Sequence, residues 1–268
     1  MGGVAYEEVV EVLNAIAPPR LAADWDNVGT IIEGVRTVSS MLLCIDFTEG
    51  VLAEAVDNEV DAVIAYHPPL FRGVKRLRSS DPQGRLVLGA IRAGLHVYSP
   101  HTALDAAAGG LNDWLLEAFG ATAGVAPIEP DRADPEVGFG RKATLAQPIS
   151  LSDLVATIKR HLELDTVRVA APPELDGWGQ REIARVAVCP GAGGSVFAHL
   201  EEVDLLLTGE MRHHDVLAHV GAGSAVVLTE HTNTERGYLP RLAERITYAL
   251  KGVEVTVSET DADPLSPW

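Results

Sequence analysis

An internal echo constrains this 268-residue chain more than any other feature. A strand-like run ending in MLLCIDF, followed by VDAVIAYHPP, returns after residue 184 as VAVCPG followed by VDLLLTGEMR. In each half the next apolar run closes on the same signature, His-Thr-x-x-acid. It reads His101-Thr102-Ala103-Leu104-Asp105 in the first half and His231-Thr232-Asn233-Thr234-Glu235 in the second. A chain that repeats run, turn and signature builds one supersecondary unit twice. The unit these runs fit is a parallel sheet with helical crossovers, so the expected class is α/β with mainly parallel sheets.

Periodicity and turn residues place the elements. Val9, Val10, Leu13 and Ile16 share one face of a helix over 5–16, stopped by Pro18-Pro19, and 23–29 (ADWDNVG) is a loop. Strand 40–47 leads to Thr48, which caps a helix to Asn58. Strand 60–66 ends at Pro68-Pro69, a helix follows over about 81–94, and a third strand covers 95–98. Residues 109–119 and 152–162 read as helices, 166–170 as a strand, and the proline-rich stretch around 172–178 as a connector. The pattern then repeats: strand 184–189, a glycine-rich turn at 191–195, strand 203–208, helix 214–220, strand 225–228, a long helix from Asn233, and a final strand 253–257. This predicts an N-terminal α/β lobe over 1–120, a connecting segment over 121–182 packed on the lobes, and a second lobe over 183–268, in a single structural unit overall.

Composition narrows the function. Apolar residues make up 47% of the chain but aromatics only 5%, so a core must be built from Ala, Val, Leu and Ile. A formal charge of −17 repels phosphate backbones and argues against direct nucleic-acid binding. The one cationic cluster, Arg72, Lys75, Arg76 and Arg78, is either a solvated loop or a contact for an anionic substrate at the mouth of a site. Cys44 and Cys189 lie in apolar runs, as buried thiols do. No signal peptide and no apolar run of membrane-spanning length are read, so a cytoplasmic protein is expected.

The chemistry lies at the strand ends. Carboxyl ends of parallel strands are where α/β sheets place their sites. A His and an acid four residues apart fall on one side of a helical turn, and in a tight loop they can converge on one point. His67 follows its strand directly and is locked by two prolines. Any one of these histidines alone is an ordinary hydrogen-bonded residue. Three at strand ends, two with an acid at the fourth position, point to a metal site. Asp105 and Glu235 each have two oxygens and are natural bridges between two cations. Imidazole with carboxylate suits Zn, Mn, Fe, Co or Ni. Gly191 to Ser195 reads either as tight packing or as an anion-binding turn without the lysine of a P-loop. His213-His214 is an exposed helix start, a pair of groups behind the ligands, or a pair of substrate contacts; His96, His161, His199 and His219 are expected to be structural.

At these residues the sequence resembles the Nif-three-like proteins (Ngg-one interacting factor three), often labelled GTP cyclohydrolase I type 2 homologues. The matching stretches are Trp25 to Gly29, His67 to Phe71, His101 to Asp105, Thr208 to Glu210, His231 to Gly237 and Asp263-Pro264. The resemblance implies two linked α/β lobes with a dinuclear metal site between them, ligated by His67, His101, Asp105, His231 and Glu235. It also implies a homohexameric ring. Tyr66 departs from the His-His found at this point in many members, which leaves open whether it is a ligand, a donor behind the ligands or a mere neighbour.

Open metal positions favour catalysis. The expected function is a metal-dependent hydrolase, GTP cyclohydrolase-like in its narrowest form. A metal-activated water would attack a small anionic or nucleotide-like substrate, with Glu210, His213 or Tyr66 moving protons. The alternative is a non-enzymatic metal-handling or interaction scaffold.

Overall fold

In a computed structural model of the protein, residues 3–173 and 177–265 are described. The chain divides into two compact units. One comprises the chain to Leu104 together with the chain from Tyr238 onward; the other is Asp105–Gly237.

The first unit is built on β1 (Gly29–Ile32), β2 (Ser40–Cys44), β3 (Ala62–Ala65) and β4 (His96–Ser99), joined by β13 (Glu254–Val257) in the order β1-β4-β3-β2-β13. β13, β2, β3 and β4 run parallel, and β1 closes one edge antiparallel to β4. β3 and β4 are buried at every residue, as strands covered on both faces must be. Helices α1 (Tyr6–Ile16), α2 (Glu49–Asp57) and α3 (Pro82–Ala93) belong to the same unit. Thr48 caps α2 by accepting from the Val51 amide, as read from the sequence. Asp81 caps α3 through the Gly84 amide, and Gly94 ends it in the left-handed conformation at φ 71°. Leu42, Val63, Val87, Ala90 and Val97 lie together in the core of this layer.

The second unit carries a six-stranded sheet in the order β5-β8-β10-β11-β12-β9. Its members are β5 (Thr122–Ala126), β8 (Arg141–Ser150), β9 (Arg168–Ala170), β10 (Glu182–Cys189), β11 (Leu205–Thr208) and β12 (Ala225–Leu228), with β6 (Glu129–Pro130) and β7 (Gly138–Phe139) forming a separate hairpin. The central three are parallel and the outer pairings antiparallel. Helices α5 (Leu111–Leu116), α6 (Leu151–His161), α7 (Gly194–Phe197) and α8 (His213–Gly221) lie in this unit. The α/β class is as expected. The allocation of segments differs from the one expected. Residues 121–182, read as a connecting segment, supply β5, β8 and β9, three of the six strands of this sheet. The last strand, read as part of the second lobe, pairs with β2 of the first sheet.

The helix expected from Asn233 is also different. Two 3₁₀ turns, Thr232–Thr234 and Arg236–Tyr238, precede α9 (Leu239–Ala249). The Thr234 hydroxyl bonds the His231 carbonyl, competing with the backbone ladder, and Pro240 has no amide to donate.

Candidate metal centre

In the first unit the β2–β3 pairing continues past the strands: the Tyr66 amide donates to Cys44 and the His67 amide to Ile45. This fixes His67 at the carboxyl end of β3. Its Nδ1 meets Asp46 Oδ1 at 2.9 Å. His101 opens α4 (His101–Ala106) with a left-handed φ of 27°, an unusual conformation for a residue other than glycine. Its Nδ1 meets Asp26 Oδ1 at 2.7 Å. The Asp26 side chain is fully buried. It also accepts from the Thr102 amide at 3.1 Å and from the Thr102 hydroxyl. Burial alone would raise the Asp26 pKa, but the bonds from His101 and Thr102 outweigh it and hold the carboxyl below its ordinary value. The His67 and His101 rings lie 5.3 Å apart, and the buried Tyr66 ring stands 4.9 Å and 5.4 Å from them.

In the second unit His231 Nδ1 meets Glu210 Oε1 at 2.5 Å, while its Nε2 faces Glu235 Oε1 at 3.3 Å. Glu235 is only 2% exposed. Glu230, just before His231, has a left-handed φ of 68°. The glycine-rich turn serves packing. The Gly191 amide donates to Thr234 Oγ1 and the Gly193 amide to Thr208 Oγ1. A Cβ at Gly191 would sit 2.8 Å from His231 Nε2 and 2.9 Å from Glu235 Oε1. Only a glycine lets the backbone pass this close over the donor pair. Asp105 lies in α4, four residues after His101, and its carbonyl accepts from the buried Asn112 side chain at 3.0 Å. Burial, followed by the charges of Asp105, Glu129 and Glu235, pushes the Cys189 thiol well up, so Asp105 and Glu235 act on the same neighbourhood.

The donor set suits a transition metal. All three imidazoles bind a carboxylate through Nδ1. With the Nδ1 proton donated, Nε2 carries the lone pair that would face an ion. In the second unit that lone pair points at a carboxylate oxygen, and a cation reconciles two such acceptors.

The family model for Duf34/NIF3 (NGG1p interacting factor 3) matches residues 4–264. The chain belongs to this family. Among its NIF3 relatives, the protein NIF3 homolog of Schizosaccharomyces pombe is 42% identical over 96% of this chain and 95% of that protein. The NGG1-interacting factor 3 of Saccharomyces cerevisiae is 36% identical, over 97% of this chain and 96% of that one. The fold matches that of a Bacillus cereus protein related to NIF3, at a TM-score of 0.84 and 18% identity, over 98% of this chain and 99% of that one. It also matches reduced HcgD from Methanocaldococcus jannaschii, at 0.79 and 22%, over 96% and 98%.

Against this NIF3 fold the remaining expected residues separate. Glu210 is bound to His231, and Tyr66 is packed against both imidazoles of the first unit. His213 opens α8 on an exposed surface with its ring 5.4 Å from that of His214. His96 is structural: buried, stacked on Tyr6 at 3.7 Å, accepting from the Gly34 amide and donating to the Arg36 carbonyl. Both cysteines are buried free thiols. The basic cluster lies wholly within an exposed loop. No described helix is long and apolar enough to cross a membrane. Sequence reasoning missed the roles of Asp26 and Asp46. Asp46 stands two residues past the end of β2, the distance at which His67 follows β3, and that shared strand-end position was the available signal.

Proposed function

We propose that this chain holds two divalent transition-metal ions through His67, His101, Asp105, His231 and Glu235, and hydrolyses a small anionic or nucleotide-like substrate. The observation that carries the reading is the carboxylate behind each imidazole: Asp46, Asp26 and Glu210. Such partners fix the ring's tautomer and aim, and their loss typically costs about 10–100-fold in metal affinity or activity. His67, His231 and Glu235 are donor types that can hold an ion. Bound ions would supply Lewis acidity and bring the pKa of water toward neutrality.

The protein's own groups do the rest. Asp46, Asp26 and Glu210 hold the Nδ1 protons of the three imidazoles. Tyr66 fixes the angle between His67 and His101. Tyr66, Glu210 and His213 are the groups offered for proton transfer, and Glu210, more than half exposed at its side chain, is the best placed to exchange a proton with water. A GTP cyclohydrolase-like reaction is the narrowest form of this reading. The proposal includes a homohexameric ring in the cytoplasm, which rests on family resemblance and is tested by light scattering.

A second reading, a metal-handling or protein-interaction scaffold, is favoured by the yeast relative's name as an NGG1-interacting factor. Elemental analysis after reconstitution, followed by a hydrolysis screen of phosphoesters, nucleotides and cyclic amides with Mn, Co, Ni or Zn, separates the two. Two ions with turnover supports the enzyme. Two ions with no turnover of any class supports the scaffold. Less than half an equivalent of metal overturns both.

A further inference from the structure

The first unit presents two large aromatic side chains to solvent beside His101. Trp25 is 65% exposed and Phe71 44% exposed, in a chain with only 5% aromatic residues. Their rings lie 5.8 Å apart, tilted by 59°, and stand 6.1 Å and 6.3 Å from the His101 ring. Leaving such rings in water forgoes the burial that this aromatic-poor core would gain.

The corner is held in place. Trp25 adjoins Asp26, whose side chain is fully buried and bound to His101 and Thr102. Phe71 adjoins Leu70, whose carbonyl accepts from the Asn27 side chain, so the two loops are tied together two residues from Trp25 and one from Phe71. Gln83 on α3 donates to the Pro69 carbonyl at 3.0 Å and closes the base of the second loop. From Phe71 the chain runs directly into Arg72, Lys75, Arg76 and Arg78, with no acid among residues 72–78 and every residue of that stretch exposed. In a chain of charge −17, this loop is a local reversal of sign.

We propose that Trp25 and Phe71 form a stacking corner for the flat ring of a nucleotide-type anion, with the 72–78 loop receiving its phosphate and His101 facing the ring's edge. Aromatic faces accept any base ring, and the cations add an attraction that salt weakens. This deepens the hydrolase reading by assigning which residues select its substrate, and it rests on that reading only for the chemistry at His101.

The test is calorimetric titration of the full chain at low salt, metal-depleted and zinc-loaded, with GMP, AMP, CMP and UMP, and with guanosine and ribose 5-phosphate. At least one nucleotide should bind about tenfold or more tightly than ribose 5-phosphate. Trp25→Ala and Phe71→Ala should each weaken it by about tenfold, within the range of a lost base–aromatic stack. The pair Lys75→Glu with Arg76→Glu should weaken the nucleotide while sparing guanosine. No nucleotide binding at millimolar concentration, equal binding of ribose 5-phosphate, or unchanged binding in both alanine variants would overturn the proposal. A lower native mass of Trp25→Ala with nucleotide affinity unaltered would assign the corner to contacts between copies and also overturn it. Zinc titration runs in parallel. Nucleotide binding that depends on Trp25 in a protein taking up no zinc sinks the metal reading alone, and zinc uptake without nucleotide binding sinks the corner alone.

Discussion

The two units solve one structural problem alike and one chemical problem differently. At the base of each parallel set, an aspartate at a strand's entry pins the preceding strand. Asp61, before β3, accepts from the amides and hydroxyls of Ser39 and Ser40. Asp204, before β11, accepts from the amides of Ala184 and Arg185 and from the Arg185 guanidinium. At the other end the correspondence breaks. Two residues past β3 stands His67, and two residues past β11 stands Glu210, so where one unit carries an imidazole the other carries a carboxylate. His101 comes two residues after β4 and His231 three after β12. The repeat preserved the sheet's internal ties and let the rim diverge, as expected where folding constrains one end and chemistry the other.

That contrast is most directly broken at the acids. Asp105→Ala and Glu235→Ala should each lose at least one ion, while His213→Ala and His214→Ala should lose none outright. A carboxylate holding the proposed ions would offset their mutual repulsion, which an exposed imidazole on α8 would not. Metal content after dialysis against a mild chelator, with circular dichroism as a check on folding, decides it. Retention of both ions by Asp105→Ala alongside loss in His213→Ala would mean that the ligands lie elsewhere.

Gly191→Ala comes next. The new methyl must occupy space 2.8 Å from His231 Nε2 at a φ of 61°. Gly223, with a φ of 98° and nothing within 4 Å of an added Cβ, is the control from the same unit. The control should cost about 1–2 kcal/mol of conformational strain. Gly191→Ala should cost about 3 kcal/mol or more and displace the donor pair. Urea denaturation compares them, and equal midpoints would show that the cradle yields without penalty.

Asp26→Asn, behind His101, should weaken metal binding by about 10–100-fold, and Glu210→Gln, behind His231, should do less. The Asp26 side chain is fully buried and accepts four bonds, from His101, Asn27 and twice from Thr102, whereas the Glu210 side chain is 55% exposed and water can replace it. Isothermal titration with zinc gives both affinities. A larger loss for Glu210→Gln would reverse the ranking of the two supports.

Much of this was legible in the sequence, and the failures have identifiable causes. β2, β3, β10, β11 and β12 announce themselves as apolar runs bounded by Pro, Gly or a cap, and the two His-Thr-x-x-acid signatures follow β4 and β12. β8 was not legible. Burial alternates cleanly over 141–146 and then stops, its polar end reads as loop, and its partners lie about twenty residues before it and forty after. β13 was found as a strand but its partner was not, because pairing with β2 spans more than two hundred residues and leaves no local trace. The carboxylates behind the imidazoles were hidden for the same reason: Asp26 meets His101 across 75 positions.

The smallest effect probes what the units share. Both Asp61 and Asp204 have their pKa lowered: burial opposes ionisation, and the hydrogen bonds donated by Ser39 and Ser40, or by Ala184 and Arg185, overcome it. A folded pKa below the unfolded value, about 3.9 for aspartate, means the fold prefers the charged form. Each group therefore contributes stability that is fully present above the unfolded pKa and is lost as pH falls through the folded one. Asp61→Asn and Asp204→Asn should each cost about 1–2 kcal/mol at neutral pH, the loss of charge-assisted bonds to donors that stay in place. The deficit should shrink as pH drops below about 4, where the wild-type carboxyl also begins to protonate. Asp61 should show the larger deficit because it accepts four bonds from Ser39 and Ser40, its side chain is 12% exposed, and its one cation, Arg36, stands farther off at 3.7 Å. The Asp204 side chain is 20% exposed, and part of its loss is the Arg185 pair, which salt screens. Urea unfolding of both variants at pH 7 and pH 3.5, with and without added salt, tests this. A deficit more salt-dependent for Asp61→Asn than for Asp204→Asn would reverse the ranking of their ion pairs, and a pH-independent deficit for either variant would show that the shared ties act through shape rather than charge.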